Sequence, residues 1–239
     1  MKQVKIALWS GPRNISTAMM YSFGNRADTS IVDEPLFGYF LQQTGAWRPS
    51  REEVLATMET DASMVIKELF SPNYKSEILF MKHIANHLID LDWSFLKDFR
   101  NVILTRDPKK VLLSYEAHVK SPTILDIAYE IQLDIINYLK KNNLHCIVLD
   151  ADQVLKDPES ELKKLCIELS IPFDQKMLSW ESGPRNEDGV WAKYWYHNVH
   201  KSRGFKKGTK EEADLPSHLE QLYSKSLKIY NKILKHKDG

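Results

Sequence analysis

The chain has 239 residues, of which 43% are hydrophobic and 27% charged, and this is enough for one globular domain with a well-buried core. Its 33 lysines and arginines nearly balance its 32 aspartates and glutamates, which excludes a global field that would attract nucleic acid or an anionic membrane. We therefore expect no nucleic-acid partner, and any anionic ligand must be bound by local groups.

The sequence contains no apolar run close to the ~20 residues that span a bilayer, and its first residues lack the pattern of a secretory signal. A cytoplasmic protein without a membrane span is the expectation. Its two cysteines, Cys146 and Cys166, match neither a disulfide framework nor a metal-ligand spacing, and we predict that both are buried structural thiols. The sequence predicts no particular oligomeric state.

Short apolar runs alternate with helical periods along the chain. This pattern predicts one three-layer α/β domain, with a central, mostly parallel sheet flanked by helices. Residues 181–210 are predicted as a late loop or lid, and 216–238 as a C-terminal packing helix. Strands are predicted at 4–9, 30–32, 64–66, 78–81, 102–105 and 146–149, and helices at 16–25, 108–118, 124–140, 158–169 and 217–235.

The first strand continues directly into Ser10-Gly11-Pro12-Arg13-Asn14-Ile15-Ser16-Thr17 and then into a helix. A loop of this kind directs unpaired backbone N–H groups and the positive end of a helix dipole at one point, which suits a phosphate or sulfate. The alternative is an ordinary turn with a hydroxyl residue as N-cap. Because the loop lacks the second glycine and the lysine of the nucleoside-triphosphatase pattern, it does not favour ATP or GTP.

A second strand ends at Arg106-Asp107-Pro108 and opens a helix that carries Ser114 about two turns later. An arginine at a strand end and a serine on the adjoining helix can both reach one phosphate. The two motifs together predict two anion sites at the edge of the sheet where ligands of parallel sheets bind.

These motifs resemble those of sulfotransferases that use 3′-phosphoadenosine-5′-phosphosulfate (PAPS). Residues 12–17 are similar to the loop of that family that binds the 5′-phosphosulfate, and Arg106 with Ser114 resembles its 3′-phosphate site. Further similarity lies in the Asp157-Pro158 helix start and the Ile171-Pro172-Phe173-Asp174 turn. The resemblance implies a P-loop-type sulfotransferase fold and PAPS as donor, with no required metal. The implied donor-binding residues are Arg13, Asn14, Ile15, Ser16, Thr17, Arg106 and Ser114.

Two positions depart from the family pattern. Ile15 stands where the family usually has glycine, so its backbone is expected either to sit differently or to keep an ordinary φ. Ala18 replaces a tryptophan that stacks on adenine in many members, and an aromatic residue of the late loop would have to replace it.

The resemblance also implies a general base and positive groups around the transferred sulfuryl group. Glu34, just past the second strand, is the first choice for the base, and its alternative role is a solvated turn. His83 is the second choice, although it follows Lys82 directly rather than by two residues. Arg13 is predicted to act at the phosphosulfate end. Lys82 is a candidate to contact the sulfuryl group or the bridging oxygen, and its alternative role is a solvated lysine at a strand end. His83 and His87 also have metal-ligand spacing if they lie on a helix, but no third ligand is evident.

A late basic loop closes over the donor in this family, and Arg203 and Gly204 are the closest match in this sequence. The alternative is a solvated charged segment, with Trp191 and Trp195 as the buried stripe of a helix.

We therefore predict an enzyme that transfers a sulfuryl group from PAPS to a hydroxyl or amine of a small-molecule or lipidic acceptor. Tyr39, Phe40 and Trp47 are candidates to line the acceptor pocket. Two other functions stay open, namely a nucleoside-triphosphate-dependent kinase or switch of the same fold and a catalytically silent nucleotide-binding protein.

Overall fold

Residues 3–71, 74–116, 119–206 and 214–237 are described by the computed structural model of the chain. Five parallel strands form a single sheet in the order β2-β3-β1-β4-β5. The strands are β1 (Val4–Ser10), β2 (Thr29–Asp33), β3 (Ile78–Ile84), β4 (Arg100–Thr105) and β5 (Cys146–Asp150).

Helices cover both faces of the sheet, because alternate residues of the central strands are apolar on both sides. Ile6, Leu8 and Phe80 pack in one buried cluster, whereas Ala7, Trp9 and Met81 pack in the other. The α-helices are α1 (Ser16–Gly24), α2 (Phe37–Thr44), α3 (Arg51–Thr57), α4 (Ala62–Glu68), α5 (Pro108–Glu116), α6 (Tyr129–Lys141), α7 (Ala151–Lys156), α8 (Pro158–Glu168), α9 (Ala192–Trp195), α10 (His197–His200) and α11 (Glu220–Leu234). Short 3₁₀ helices lie at Ala85–Leu88, Ser94–Asp98, Gln175–Leu178 and Ser217–Leu219.

The predicted parallel α/β architecture is confirmed, and five of the six predicted strands are present within a residue or two at most ends. The strand predicted at 64–66 is wrong, because these residues lie in α4. Asp61 caps that helix by accepting hydrogen bonds from the Ser63 and Met64 amides at 2.7 and 3.2 Å. Three apolar residues are too few for periodicity to distinguish a strand from a helix, and the cap decides the outcome.

The helix predicted at 124–140 begins only at Tyr129. The Asp126 carboxylate accepts hydrogen bonds from the amide and hydroxyl of Thr123, and Ala128 adopts a left-handed conformation with φ 62° before the helix starts. This turn delays the helix by about one turn. The last residues of the helix predicted at 108–118 and of the late loop predicted at 181–210, namely 117–118 and 207–210, lie outside the described residues. The described part of that late loop contains α9 and α10.

Strand register brings the polar strand ends to one edge of the sheet. Asp33 is paired with Lys82 across β2 and β3, and Trp9 is paired with His83 across β1 and β3. The loop after β1 and the Arg106 turn after β4 lie at the same edge, because β1 is the neighbour of both β3 and β4. The fold therefore places the loop after β1, the Arg106 turn, Glu34 and Lys82 at the carboxyl ends of neighbouring strands, where parallel sheets bind ligands.

Candidate active site

The loop after β1 has two left-handed residues separated by one residue. Arg13 has φ 61° and Ile15 has φ 63°, and Ile15 is the N-cap of α1 without a side-chain capping bond. The expectation of an ordinary φ at Ile15 is therefore wrong: this β-branched residue keeps the conformation that glycine usually supplies. Alternation of this kind turns successive backbone N–H groups toward one side, and α1 adds its positive end to the same place.

Asn14 fixes this loop to the sheet through its side chain. Its Nδ2 donates a hydrogen bond to the Leu104 carbonyl oxygen in β4 at 2.6 Å, and the side chain is buried. The amide therefore anchors the loop, and it is the backbone of this residue that remains available to a ligand.

Two arginines meet beside the loop. Arg106 donates from Nη1 to the carbonyl oxygen of Arg13 at 3.0 Å, and Arg13 donates from Nε to Ser114 Oγ at 2.9 Å. Burial and the neighbouring Arg106 charge lower the pKa of Arg13. In the described part of the chain no carboxylate forms an ion pair with Arg13, whereas Arg106 lies 3.6 Å from Asp152. This uncompensated charge favours an anionic ligand.

A buried cluster of charged groups lies at the ends of β2 and β3. Lys82 Nζ donates to Asp33 Oδ1 at 2.9 Å, to Glu34 Oε1 at 2.5 Å and to the Tyr196 hydroxyl at 2.7 Å. Tyr196 in turn donates to Asp33 Oδ2 at 2.7 Å and accepts from Trp191 Nε1 at 3.0 Å. An ammonium group has three protons, so the protein uses every donor of Lys82 in this structure.

The surroundings of Lys82 and Glu34 shift the pKa values of both groups. Burial alone would lower the pKa of Lys82, but the carboxylates of Asp33 and Glu34 outweigh burial and raise it well above the usual range. Burial raises the pKa of Glu34, and the Lys82 charge counteracts only part of this shift. Glu34 Oε2 has no hydrogen-bond partner within the described ranges, so this oxygen is the one available to a ligand.

A single cavity of ≈ 620 Å³ joins the loop, the arginine pair and the acidic cluster. Most of the residues predicted for the site line it, namely Arg13, Asn14, Ile15, Ser16, Thr17, Glu34, Lys82, Arg106, Ser114 and Gly204. The structure thus brings together residues from both ends of the chain.

His83 does not line this cavity. Neighbouring residues of a strand point to opposite faces of the sheet, so Lys82 faces the cavity while His83 faces the other side. Its ring stacks on Trp9 with centroids 4.1 Å apart, and neither ring nitrogen has a hydrogen-bond partner. Burial, together with the Lys82 charge, lowers its pKa to about 3.

The late basic segment reaches the cavity through residues other than Arg203. Arg203 is exposed and its carbonyl oxygen accepts from the Trp180 amide at 3.3 Å, whereas Lys201 and Lys206 line the cavity. Gly204 pairs with Ser179, and a Cβ there would lie 2.8 Å from the Leu178 carbonyl oxygen. Glycine is required at this position because of that close backbone approach.

Phe205 is the aromatic residue of the late segment that lies nearest in sequence to these lysines. It lines the same cavity as Ala18 and makes an edge-to-face contact with Trp180, with ring centroids 5.2 Å apart. The ring is therefore held at the wall of the cavity that Ala18, at the position of the family's tryptophan, also lines.

The aromatic residues that line the cavity differ from those that the sequence predicted for the acceptor pocket. Tyr39 and Phe40 are buried in the core and Trp47 is 70% exposed, and none of the three lines the cavity. Phe37, about one helical turn before Phe40 at the start of α2, faces the cavity instead. Arg48 and Tyr196 also line it and were not singled out from the sequence. His87 and Trp191, for which the sequence suggested other roles, line it as well.

The late segment is held over the site by an acidic residue. Asp188 accepts hydrogen bonds from the Tyr21 hydroxyl at 2.7 and 2.9 Å and contacts His200 Nε2 at 2.9 Å. The Gly189 amide then donates to Asp33 Oδ2 at 3.2 Å. Tyr196 reaches Lys82 because α1 anchors the segment in this way.

His83 and His87 lie on β3 and a 3₁₀ helix rather than on one α-helix. Among the described residues, no group of three or more histidine, cysteine, aspartate and glutamate side chains could hold a metal ion. The same residues contain no helix that is both long and apolar enough to cross a membrane. Both cysteines are free thiols; Cys166 is buried as predicted, whereas Cys146 is only half-buried.

The parallel sheet, the loop after β1 and the arginine after β4 define an α/β domain of the P-loop type, with two candidate anion sites at one edge of the sheet. The family model described as a sulfotransferase domain matches residues 4–237. The chain belongs to this sulfotransferase family, which confirms the resemblance and supports sulfotransfer activity.

Solved structures share the fold. The sulfotransferase domain of a Synechococcus olefin synthase superposes with a TM-score of 0.61 at 14% identity, covering 98% of this chain and 96% of that one. A sulfotransferase from Alicyclobacillus acidocaldarius gives 0.54 at 10% identity, covering 96% and 95%. A mouse sulfotransferase complexed with PAP gives 0.51 at 13% identity, covering 99% and 85%.

Two curated Arabidopsis thaliana proteins are more similar in sequence. Branched-chain-amino-acid aminotransferase-like protein 1 is 39% identical over 229 residues, covering 95% of this chain and 41% of its own length. Protein 2 of that name is 36% identical over 238 residues, covering 98% and 42%. The chain spans about two fifths of the length of these relatives.

Proposed function

We propose that this chain transfers a sulfuryl group from PAPS to a hydroxyl or amine group of a small-molecule or lipidic acceptor. The observation that carries the proposal is the single cavity that connects two cationic anion sites with a buried carboxylate. A donor with phosphates at both ends of a nucleoside would occupy both sites, and the acceptor would lie against the carboxylate.

The residues present fit this donor. The backbone N–H groups after Arg13 and the hydroxyls of Ser16 and Thr17 would hold the phosphosulfate end. Arg106 and Ser114 would hold the 3′-phosphate, with Lys206 nearby on the cavity wall. Phe205 is the aromatic group available to the adenine in place of the missing tryptophan. When bound, PAPS supplies an activated sulfuryl group on a good leaving group.

We assign the general base to Glu34. It has a carboxylate oxygen without a protein partner, it lines the cavity, and its raised pKa suits proton uptake near neutral pH. Glu34 Oε2 would accept the proton of the acceptor, while Arg13 and Lys82 place positive charge beside the reacting group. His83 is disfavoured in this role by its position on the opposite face of the sheet.

A ligand that binds only the folded state raises the melting temperature, so a thermal shift assay tests the donor. We expect stabilisation by 3′,5′-adenosine bisphosphate and little or none by ADP with magnesium. The reverse pattern would favour a triphosphate-dependent function and contradict the proposal.

The reaction itself is tested by incubating the chain with PAPS carrying a labelled sulfuryl group and a panel of alcohols, phenols and amines. Label in an acceptor, lost in Glu34→Gln, is the expected result. Bisphosphate binding without any transfer across a broad panel would instead support the catalytically silent alternative.

A further inference from the structure

Tyr196 comes from the late segment, yet its hydroxyl lies at the centre of the acidic cluster. Its oxygen is 2.7 Å from Lys82 Nζ, 2.7 Å from Asp33 Oδ2 and 3.0 Å from Trp191 Nε1. Only 4% of the residue is exposed, and it lines the cavity beside Glu34. The hydroxyl is therefore buried among groups that differ in charge.

The hydrogen-bonding capacity of the cluster is almost completely used. A tyrosine hydroxyl has one proton and two lone pairs, and here it donates to Asp33 and accepts from Lys82 and Trp191. Asp33 uses both oxygens, since Oδ1 accepts from Lys82 and Oδ2 accepts from Tyr196 and the Gly189 amide. Within the described part of the chain, Glu34 Oε2 is the oxygen of this cluster that has no protein donor.

Glu34 Oε2 is without a donor because the Tyr196 oxygen accepts one of the three protons of Lys82. Without its oxygen, Lys82 would have one proton with no acceptor, and the nearest remaining lone pairs belong to the carboxylates that it already contacts. A second bond from Lys82 to Glu34 would engage the oxygen that is now available and would also stabilise the ionised carboxylate. The hydroxyl therefore keeps Lys82 from engaging both oxygens of Glu34.

We propose that Tyr196 is a positioning residue for the sulfuryl transfer, holding Lys82 and Asp33 so that Glu34 presents one unoccupied, basic oxygen to the acceptor. The inference rests on the proposed function and assigns the late segment a part in the chemistry as well as in binding. Tyr196 itself has no proton left for a substrate, so it acts through Lys82 and Glu34.

Tyr196→Phe removes the hydroxyl and keeps the ring, and Tyr194→Phe on the adjoining turn is the matched control. For Tyr196→Phe we expect kcat to fall about 10- to 100-fold, as loss of a charge-assisted hydrogen bond implies, with bisphosphate affinity within twofold of wild type. The acid limb of the kcat/KM profile should also move to lower pH, because Lys82 then stabilises ionised Glu34 more strongly. Tyr194→Phe should behave as wild type in all three measurements.

A double-mutant cycle with Asp33→Asn tests whether the two residues act as one unit. We expect the double variant to lose little more activity than Asp33→Asn alone. Fully additive losses, an unchanged pH profile, or loss of bisphosphate binding in Tyr196→Phe would each overturn the inference, the last because the role would then be structural. A wild-type chain that binds the bisphosphate but transfers no sulfuryl group would instead overturn the proposed function beneath it.

Discussion

Arg106 donates a hydrogen bond from Nη1 to the main-chain carbonyl oxygen of Arg13 at 3.0 Å, although 93 positions separate them in sequence. The contact joins the end of β4 to the loop after β1, and burial together with the Arg106 charge lowers the pKa of Arg13. Like charges repel and burial adds to the cost, so an anion bound beside the pair would stabilise both arginines.

Arg106→Ala should remove the stabilisation that 3′,5′-adenosine bisphosphate gives in a thermal shift assay. The variant loses the charge expected at the 3′-phosphate and the bond that positions Arg13. Lys109→Ala, which removes a nearby cation in α5 that has no described side-chain contact, is the control and should keep the full shift. Equal shifts in the wild type and Arg106→Ala would contradict a phosphate site here.

Glu34→Gln should reduce sulfuryl transfer by about 10²–10⁴-fold, since an amide cannot take up the acceptor's proton. Burial raises the pKa of Glu34, so the acid limb of the wild-type kcat/KM profile should lie above the ordinary glutamate value of about 4.3. The limb reflects protonation of the base as pH falls, and it should be absent from the residual activity of the variant. Bisphosphate affinity should stay near wild type.

Glu52→Gln, an exposed change on α3, is the matched control for that experiment and should leave the profile unchanged. Near-normal turnover in Glu34→Gln would remove the base assignment from this residue.

Ile15→Gly should be more stable than Ile15→Ala by about 0.5–1 kcal/mol. Left-handed backbone costs a residue with a Cβ about 1–2 kcal/mol, which exceeds the roughly 0.5–1 kcal/mol of entropy that glycine loses on folding. At Ala18, which lies within α1, the change to glycine should instead destabilise the chain. Urea unfolding measures all three variants, and a less stable Ile15→Gly would mean that the left-handed conformation is not retained in solution.

Stability should fall as pH falls from about 6.5 toward 3, partly because of His83. Its pKa is about 3 in the folded chain and ordinarily 6.5, so over that interval the unfolded chain binds a proton that the folded chain does not. At pH 5 one such histidine lowers the free energy of unfolding by about 2 kcal/mol relative to neutral pH. His83→Phe, which can keep the stacking on Trp9, should lose correspondingly less stability on acidification. Identical acid losses in the two chains would contradict a buried neutral His83.

Local sequence was sufficient for the elements whose signals are strong. Each buried strand is bounded by turn residues, and the Asp157-Pro158 start of α8 was visible because a capping carboxylate and a proline act on their immediate neighbours. The strand prediction at 64–66 was wrong for the converse reason. A three-residue apolar run shows no periodicity, and the capping role of Asp61 was not considered.

The α/β class and the two motifs predicted to bind anions could be recognised from the sequence, because a strand, a tight loop and a helix start are consecutive in the chain. The sequence also placed Lys82 beside His83 without separating their roles. The tertiary structure decided which of the two faces the cavity, because the sides of a strand are distinguished only by what packs on each sheet face. It alone brought Tyr196, together with the Trp191 side chain that donates to it, to Lys82 and Asp33. These contacts of Tyr196 span more than a hundred residues and depend on the strand order and on the anchoring of the late segment by Tyr21 and Asp188.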